Sequence, residues 1–239
     1  MKRTKADINY IKHRGSITMD ISKIIKAAKK INWKSLECCG RRPCTISFAD
    51  LLSDNPKVRK MAYWEFDNHV VVQSGLYNSA FYVIPFVLEL LKENIKCNRH
   101  NREIYDLLFE LGNGFGSGEV EFSIVTEPFT YYVPKEGGIK LGLTEACYNA
   151  VFAGWNIYCE DLMNTNSPNR NYAYELIAYC LYRYNIVGRN TVLQQLIDRE
   201  PDSELGKCAA VDIKEELGNY NIKEFDVRTW FSCRLDSSN

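Results

Sequence analysis

Along most of this chain, apolar residues return every three or four positions in short segments separated by brief polar turns, and this pattern restricts the fold more than any other feature. Ile21, Ile24, Ile25 and Ala28 keep the i, i+3, i+4, i+7 spacing of a helix with one buried face, with Asp20 at the position of an N-cap. Phe48, Leu51 and Leu52 open a second, short helix that stops at Ser53-Asp54-Asn55-Pro56, where proline suits the first turn of the next helix because its missing N–H has no helical partner there. That third helix runs through Val58, Met61, Ala62 and Phe66 towards Val72, and a turn at Ser74-Gly75 leads to a fourth with Ile84, Val87, Leu88 and Leu91 on one face. Pro85 must lie in the first turns of the fourth helix or kink it.

Ile104, Leu107, Leu108 and Leu111 mark a further helix ended by Gly112, and the period resumes with Ala146, Cys147, Ala150 and Val151. Ala173, Leu176, Ile177, Cys180 and Leu181 follow, then Leu193, Leu196 and Ile197, and finally Leu205, Cys208, Ala209, Val211 and Leu217. Helices this short cannot each bury a face alone, so the expected fold is mainly α: a single α-solenoid over 1–239 of stacked antiparallel helix pairs. A helix end, an acidic turn with proline and a new helix occur at Leu51–Val58 and again at Leu196–Leu205, a loose internal echo.

The stretch 113–142 interrupts the pattern. Val120, Phe122 and Ile124 alternate with Glu119, Glu121 and Ser123, and Thr130-Tyr131-Tyr132-Val133 is a second β-prone run before Pro134 and Gly137-Gly138, so a β-hairpin or ordered loop is expected there. Long ordered insertions of this kind are often functional. Tyr131 and Tyr132 offer large contact area with a polar tip, and Glu119, Glu121 and Glu127 offer steering charge around them, so these five are the candidate partner-binding residues.

With 46% hydrophobic residues among 239, the chain can bury a real core without covalent staples. Nine cysteines are an odd number in a chain of this size, which fits reduced thiols, with Cys147, Cys180 and Cys208 among the apolar positions of helices. Met1 to Asp20 lack the apolar core of a secretory signal, and the longest apolar stretch, Tyr82 to Leu91, is broken by Glu89 and is about half of a membrane span. The expected location is the cytoplasm, without membrane contact. Residues 1–34, a basic leader and helix, hold ten Lys/Arg against Asp7 and Asp20; the other 205 residues therefore carry 20 basic and 28 acidic side chains, a net −8 that suits a basic protein partner and argues against nucleic acid.

From Asn32 to Gly112 the chain resembles a family of bacterial HEAT-repeat proteins. The resemblance lies in Asn32-Trp33, in Leu51-Leu52-Ser53-Asp54-Asn55-Pro56-Lys57-Val58-Arg59, in Val72-Gln73-Ser74-Gly75-Leu76-Tyr77 and in Ile84-Pro85-Phe86-Val87-Leu88-Glu89-Leu90-Leu91, which follow one another in the family's order. It departs at Val72-Gln73-Ser74, where the family has His-Gln-Gly, and around Cys38–Cys44. What the resemblance implies is a protein-binding scaffold, similar to immunity proteins encoded beside bacterial toxins, whose partner is a cognate protein toxin. A nucleic-acid-binding or DNA-repair protein of HEAT-like build and a generic assembly scaffold are the alternatives.

Catalytic signals are absent from the sequence, and no enzyme is expected. His13, His69 and His100 form no His-Glu-x-x-His pair, and no Gly-x-Ser-x-Gly elbow occurs. Gly112-Asn113-Gly114-Phe115-Gly116-Ser117-Gly118 follows a predicted helix instead of a strand and lacks the Gly-Lys-Ser/Thr ending of a phosphate loop, so it reads as a helix stop and flexible hinge. Cys38, Cys39 and Cys44 lack the second ligand pair that a structural zinc needs, and neither metal nor cofactor is expected. No pair of carboxylates stands out as set in apolar surroundings.

Overall fold

The structure, a computed structural model, describes residues 17–40, 48–182 and 185–216. Residues 1–16 of the basic segment, Cys44 and Leu217 lie outside the described residues. The chain divides into two compact units, Met1–Gly154 and Trp155–Asn239. Both are mainly helical, and the first adds two small antiparallel sheets.

In the first unit, α1 spans Ile17–Ala28, so Asp20 lies inside the helix instead of capping it. A 3-10 turn at Trp33–Ser35 follows, and the Trp33 indole N–H donates to the Ala28 carbonyl at 2.8 Å, covering one of the acceptors that a helix end leaves open. Phe48–Leu52 is also a 3-10 turn. It leads through Ser53-Asp54-Asn55 into α2, Pro56–Val70, whose start is as the sequence predicts: Pro56 occupies the first turn and the Asn55 side chain accepts from the Lys57 N–H at 3.0 Å.

α2 stops at Val70, short of Val72, because Val71–Val72 (β1) and Gly75–Leu76 (β2) fold into a tight hairpin. Gln73 and Ser74 both take positive φ at its tip, the backbone of a two-residue hairpin turn that normally selects Asn-Gly.

The core is built on α3, Asn78–Lys96, in which every residue from Ser79 to Leu88 is buried. A helix apolar on all sides must be surrounded, and α3 packs against α1, α2, the Phe48–Leu52 turn, α4 (Arg102–Asn113), α5 (Leu143–Phe152) and the insertion strands. Pro85 therefore sits in the third turn of the helix, past the first turn where its missing N–H is free of cost. Phe86 is the hub, with Trp33, Phe48, Phe129 and Tyr131 rings 5.3–6.2 Å from its own.

The insertion is three-stranded, richer than the expected hairpin. β3 (Glu119–Val125) is central, flanked by β4 (Tyr131–Pro134) and β5 (Ile139–Gly142), all antiparallel. The glycine-rich stretch before it is held against β2. α4 continues through Gly112 to Asn113, and the Leu76 N–H and the Phe115 carbonyl then join at 2.8 Å across the β2 edge. A Cβ at Gly114 would meet Leu76 at 2.7 Å and one at Gly116 would meet Leu143 at 2.6 Å, so both glycines are there for close approach.

The second unit holds α6 (Trp155–Met163), a helix the periodicity missed, then α7 (Arg170–Glu175), α8 (Ile186–Arg199) and α9 (Glu204–Glu216). α7 runs into a π turn at Leu176–Cys180, closed by the Leu181 N–H on the Leu176 carbonyl at 3.0 Å. Buried Arg189 donates to the Ala178 carbonyl within that turn at 3.1 Å. Cys147 and Cys180 are buried as expected, whereas Cys208 is exposed: α9 buries Gly206 and Ala209 instead.

Candidate functional site

The five residues expected to form a binding loop do not come together at the surface. β3 pairs Ile124 with Tyr132 and Val125 with Tyr131, and strand alternation sends Tyr132 to the same side as Val120 and Phe122. There its ring lies parallel to Phe81 with centroids 4.5 Å apart, and burial pushes its phenol up to about 12. Tyr131 turns to the other side and is also buried, its ring 5.5 Å from both Phe86 and Phe129. Neither tyrosine can anchor a partner. An aromatic side chain that finds matching rings removes about 150–250 Å² from water, and Phe81, Phe86, Phe122 and Phe129 supply those rings.

The acidic residues separate as well. Glu121 holds the turn between β4 and β5: its carboxylate accepts from the Gly137 N–H and, at 3.1 Å, from the Gly138 N–H, with Lys140 Nζ 3.8 Å away. Only Glu119 and Glu127 remain exposed, at opposite ends of β3.

An exposed face with acidic and aromatic character does exist, on α2 and α4. The sequence predicts Met61 on the buried face of α2. The structure buries Ala62, Phe66 and Val70, which leaves Met61 67% exposed and, one turn on, Trp64 48% exposed. Tyr63 lies edge-on to Trp64 at 5.2 Å, and Asp67 follows Trp64 by one further turn.

α4 packs beside α2 and adds Glu103, Asp106 and Glu110, spaced i, i+3, i+7 along one stripe. Arg59 Nε meets Glu103 at 3.1 Å, while further along both helices the Asp67 charge reaches Glu110, so the two helices run side by side in the same direction.

Two of the four carboxylates on this face are in ion pairs. Glu103 is held by Arg59 and Asp106 by Arg102 at 3.3 Å, but among the described residues no cation pairs with Asp67 or Glu110. Burial raises the pKa of Asp67. It also raises that of Glu110, to which the neighbouring charges of Asp67 and Asp106 add. Asp106 is raised by burial against the pull of Arg102, and the Tyr63 phenol is driven to about 12, mainly by burial and then by Asp67, Glu110 and Asp106. Burial thus acts on both Asp67 and Glu110, two carboxylates that the sequence reading did not single out. Their sequence signal was the acidic stripe at 103, 106 and 110 bordering the leucines of α4, matched by Tyr63 and Asp67 four apart on α2.

In the second unit, the Tyr174 and Tyr179 hydroxyls both donate to Asp212, the latter at 3.1 Å, and both phenols are raised, chiefly by burial. These bonds tie the π turn to α9. Among the described residues no three His, Cys, Asp or Glu side chains are placed to hold a metal ion, and no helix is long and apolar enough to cross a membrane. Compared with known proteins, the chain matches no family model, no curated protein and no solved structure.

Proposed function

We propose that this chain is a HEAT-like α-solenoid that binds a protein partner, and that it serves in the bacterial cytoplasm as an immunity-type inhibitor which neutralises a toxin by occlusion instead of by chemistry on it. The solenoid reading is supported by the first unit, where α2 packs on α4 and α3 on α5, so that alternate helices stack in two rows. The observation that carries the binding reading is the α2–α4 face, with Met61 and Trp64 exposed beside two carboxylates that form no ion pair among the described residues. Exposed aromatic and methionine side chains are enriched at the centres of protein interfaces, and here they stand beside charge that a basic partner would balance. Co-expression with the toxin encoded beside its gene tests the reading. A complex that survives gel filtration and a silenced toxin are expected; an active toxin that elutes alone would overturn it.

A further inference from the structure

We propose that the first unit carries a second docking element, a rigid knob formed by Phe115 on the β1–β2 turn, which enters an uncharged apolar pocket of a protein partner. It adds a contact surface to the protein-binding reading above and rests on that reading. Phe115 is 65% exposed, whereas the other described phenylalanines are buried or half-buried. A single apolar side chain on a loose loop would need no explanation. Phe115 is not on a loose loop. Its N–H donates to the Ser74 carbonyl and its carbonyl accepts from the Leu76 N–H, both at 2.8 Å, in a parallel bridge to the hairpin. On either side, the Gly114 N–H donates to the Glu110 carbonyl and the Gly116 N–H to the Thr144 hydroxyl, each at 2.9 Å.

The local backbone admits few other side chains. A Cβ at Gly114 or Gly116 would overlap Leu76 or Leu143, and the turn that Phe115 bonds to holds Gln73 and Ser74 at φ of 50° and 62°. Conformations this unfavourable for ordinary residues persist only where surrounding contacts hold them. The backbone that carries the ring is therefore fixed before a partner arrives, which lowers the ordering cost of binding.

Charge decides the chemistry of that partner. A quarter of the chain is charged, yet 70–78 and 111–118, the two stretches joined here, contain no Asp, Glu, Lys or Arg. Nucleic acid and anionic membrane are met by Lys and Arg, whereas the centres of protein interfaces are poor in charge and rich in aromatic rings. Around the ring, exposed Gln73, Ser74 and Ser117 are neutral groups that can hydrogen-bond the rim of a pocket.

The test uses the full chain. In the free protein, hydrogen exchange at the Phe115 and Gly116 amides should be slowed like that at Leu76; exchange at the rate of an open loop overturns the pre-formed knob. With the product of the neighbouring gene as probe, Phe115→Ala should bind about thirtyfold more weakly while melting at the wild-type temperature. Phe115→Leu should recover most of the affinity, and p-benzoylphenylalanine at position 115 should cross-link to the probe on irradiation. Equal affinity of the wild type and Phe115→Ala, or no cross-link within a formed complex, overturns the knob and spares the protein-binding reading. A wild type that binds no such product overturns both. A dimer of the chain that Phe115→Ala dissolves in gel filtration would make the occupant a second copy, and Phe115-dependent flotation with phosphatidylcholine vesicles would make it a membrane; either overturns the assignment to a partner protein.

Discussion

The three-stranded sheet and the α2–α4 face draw on the same materials, tyrosine or tryptophan beside glutamate or aspartate, and use them in opposite ways. In the sheet, Tyr131 and Tyr132 turn inward onto Phe81, Phe86 and Phe129, and Glu121 is occupied by the Gly137-Gly138 turn. On the helix face, Trp64 and Met61 turn outward, and Asp67 and Glu110 form no ion pair among the described residues. What separates the two is whether the rest of the core supplies a matching surface. Phe81 and Phe86 are buried on α3 directly beneath the insertion, whereas α2 fills its inner side with Ala62, Phe66 and Val70 and has no inward position left for residue 64. Aromatic content near acidic residues thus says little about a binding surface until it is known which way the rings point.

The comparison breaks most readily in the sheet. Tyr131→Ala with Tyr132→Ala should lower the unfolding free energy by about 5 kcal/mol or more in urea titration, since each removes a large buried ring. A folded double variant of near wild-type stability would mean that these rings are not core. A smaller loss, about 1 kcal/mol, is expected for Glu121→Ala, which leaves the Gly137 and Gly138 N–H groups to water at a half-exposed turn. Hydrogen exchange should show it as faster exchange at those two amides.

On the helix face the sign reverses. Asp67, Asp106 and Glu110 hold their protons more tightly in the folded chain than in the unfolded one, so over the pH range above their ordinary values of 3.8 and 4.5 the folded state binds more protons. Stability contributed by these groups therefore falls as pH rises through that range. Asp67→Asn/Glu110→Gln should gain a few tenths of a kcal/mol at pH 7, a small figure because solvent screens groups this exposed. The gain should fade as the pH is lowered towards the ordinary carboxylate values. Melting curves at pH 7 and pH 4 measure it, and a variant less stable than wild type at pH 7 would show that the two carboxylates are not in conflict.

Much of the helical order was legible in the sequence. The start of α2 follows from Asn55-Pro56, where a side-chain acceptor and a residue without an N–H meet the needs of a first turn. The strand signal at Val120, Phe122 and Ile124 came through because alternation survives in the pleat of β3. Other features were hidden because they depend on distant partners. The π turn at Leu176–Cys180 keeps the apolar spacing of an ordinary helix and is distinguished by Arg189 reaching the Ala178 carbonyl from α8. Cys208 sits at an apolar position of α9 and is still exposed, because the buried side of that helix runs through Gly206 and Ala209. The candidate face was only half legible: the stripe Glu103, Asp106 and Glu110 can be read from spacing, but not that Asp67 on another helix would lie beside it.

By itself, then, the sequence determined that most of the chain would be helical and where α2 begins, that 113–142 would leave the helical pattern, and that charge would divide into a basic leader and an acidic remainder, since caps, periodicity and composition act over a few residues or over none. Only the tertiary structure decided which of two pairs of large side chains, Tyr131 with Tyr132 or Met61 with Trp64, would face water and which carboxylates would be held in ion pairs. Orientation and charge balance are set by contacts between residues tens of positions apart, such as Arg59 with Glu103 or Tyr132 with Phe81, and no local pattern encodes those contacts.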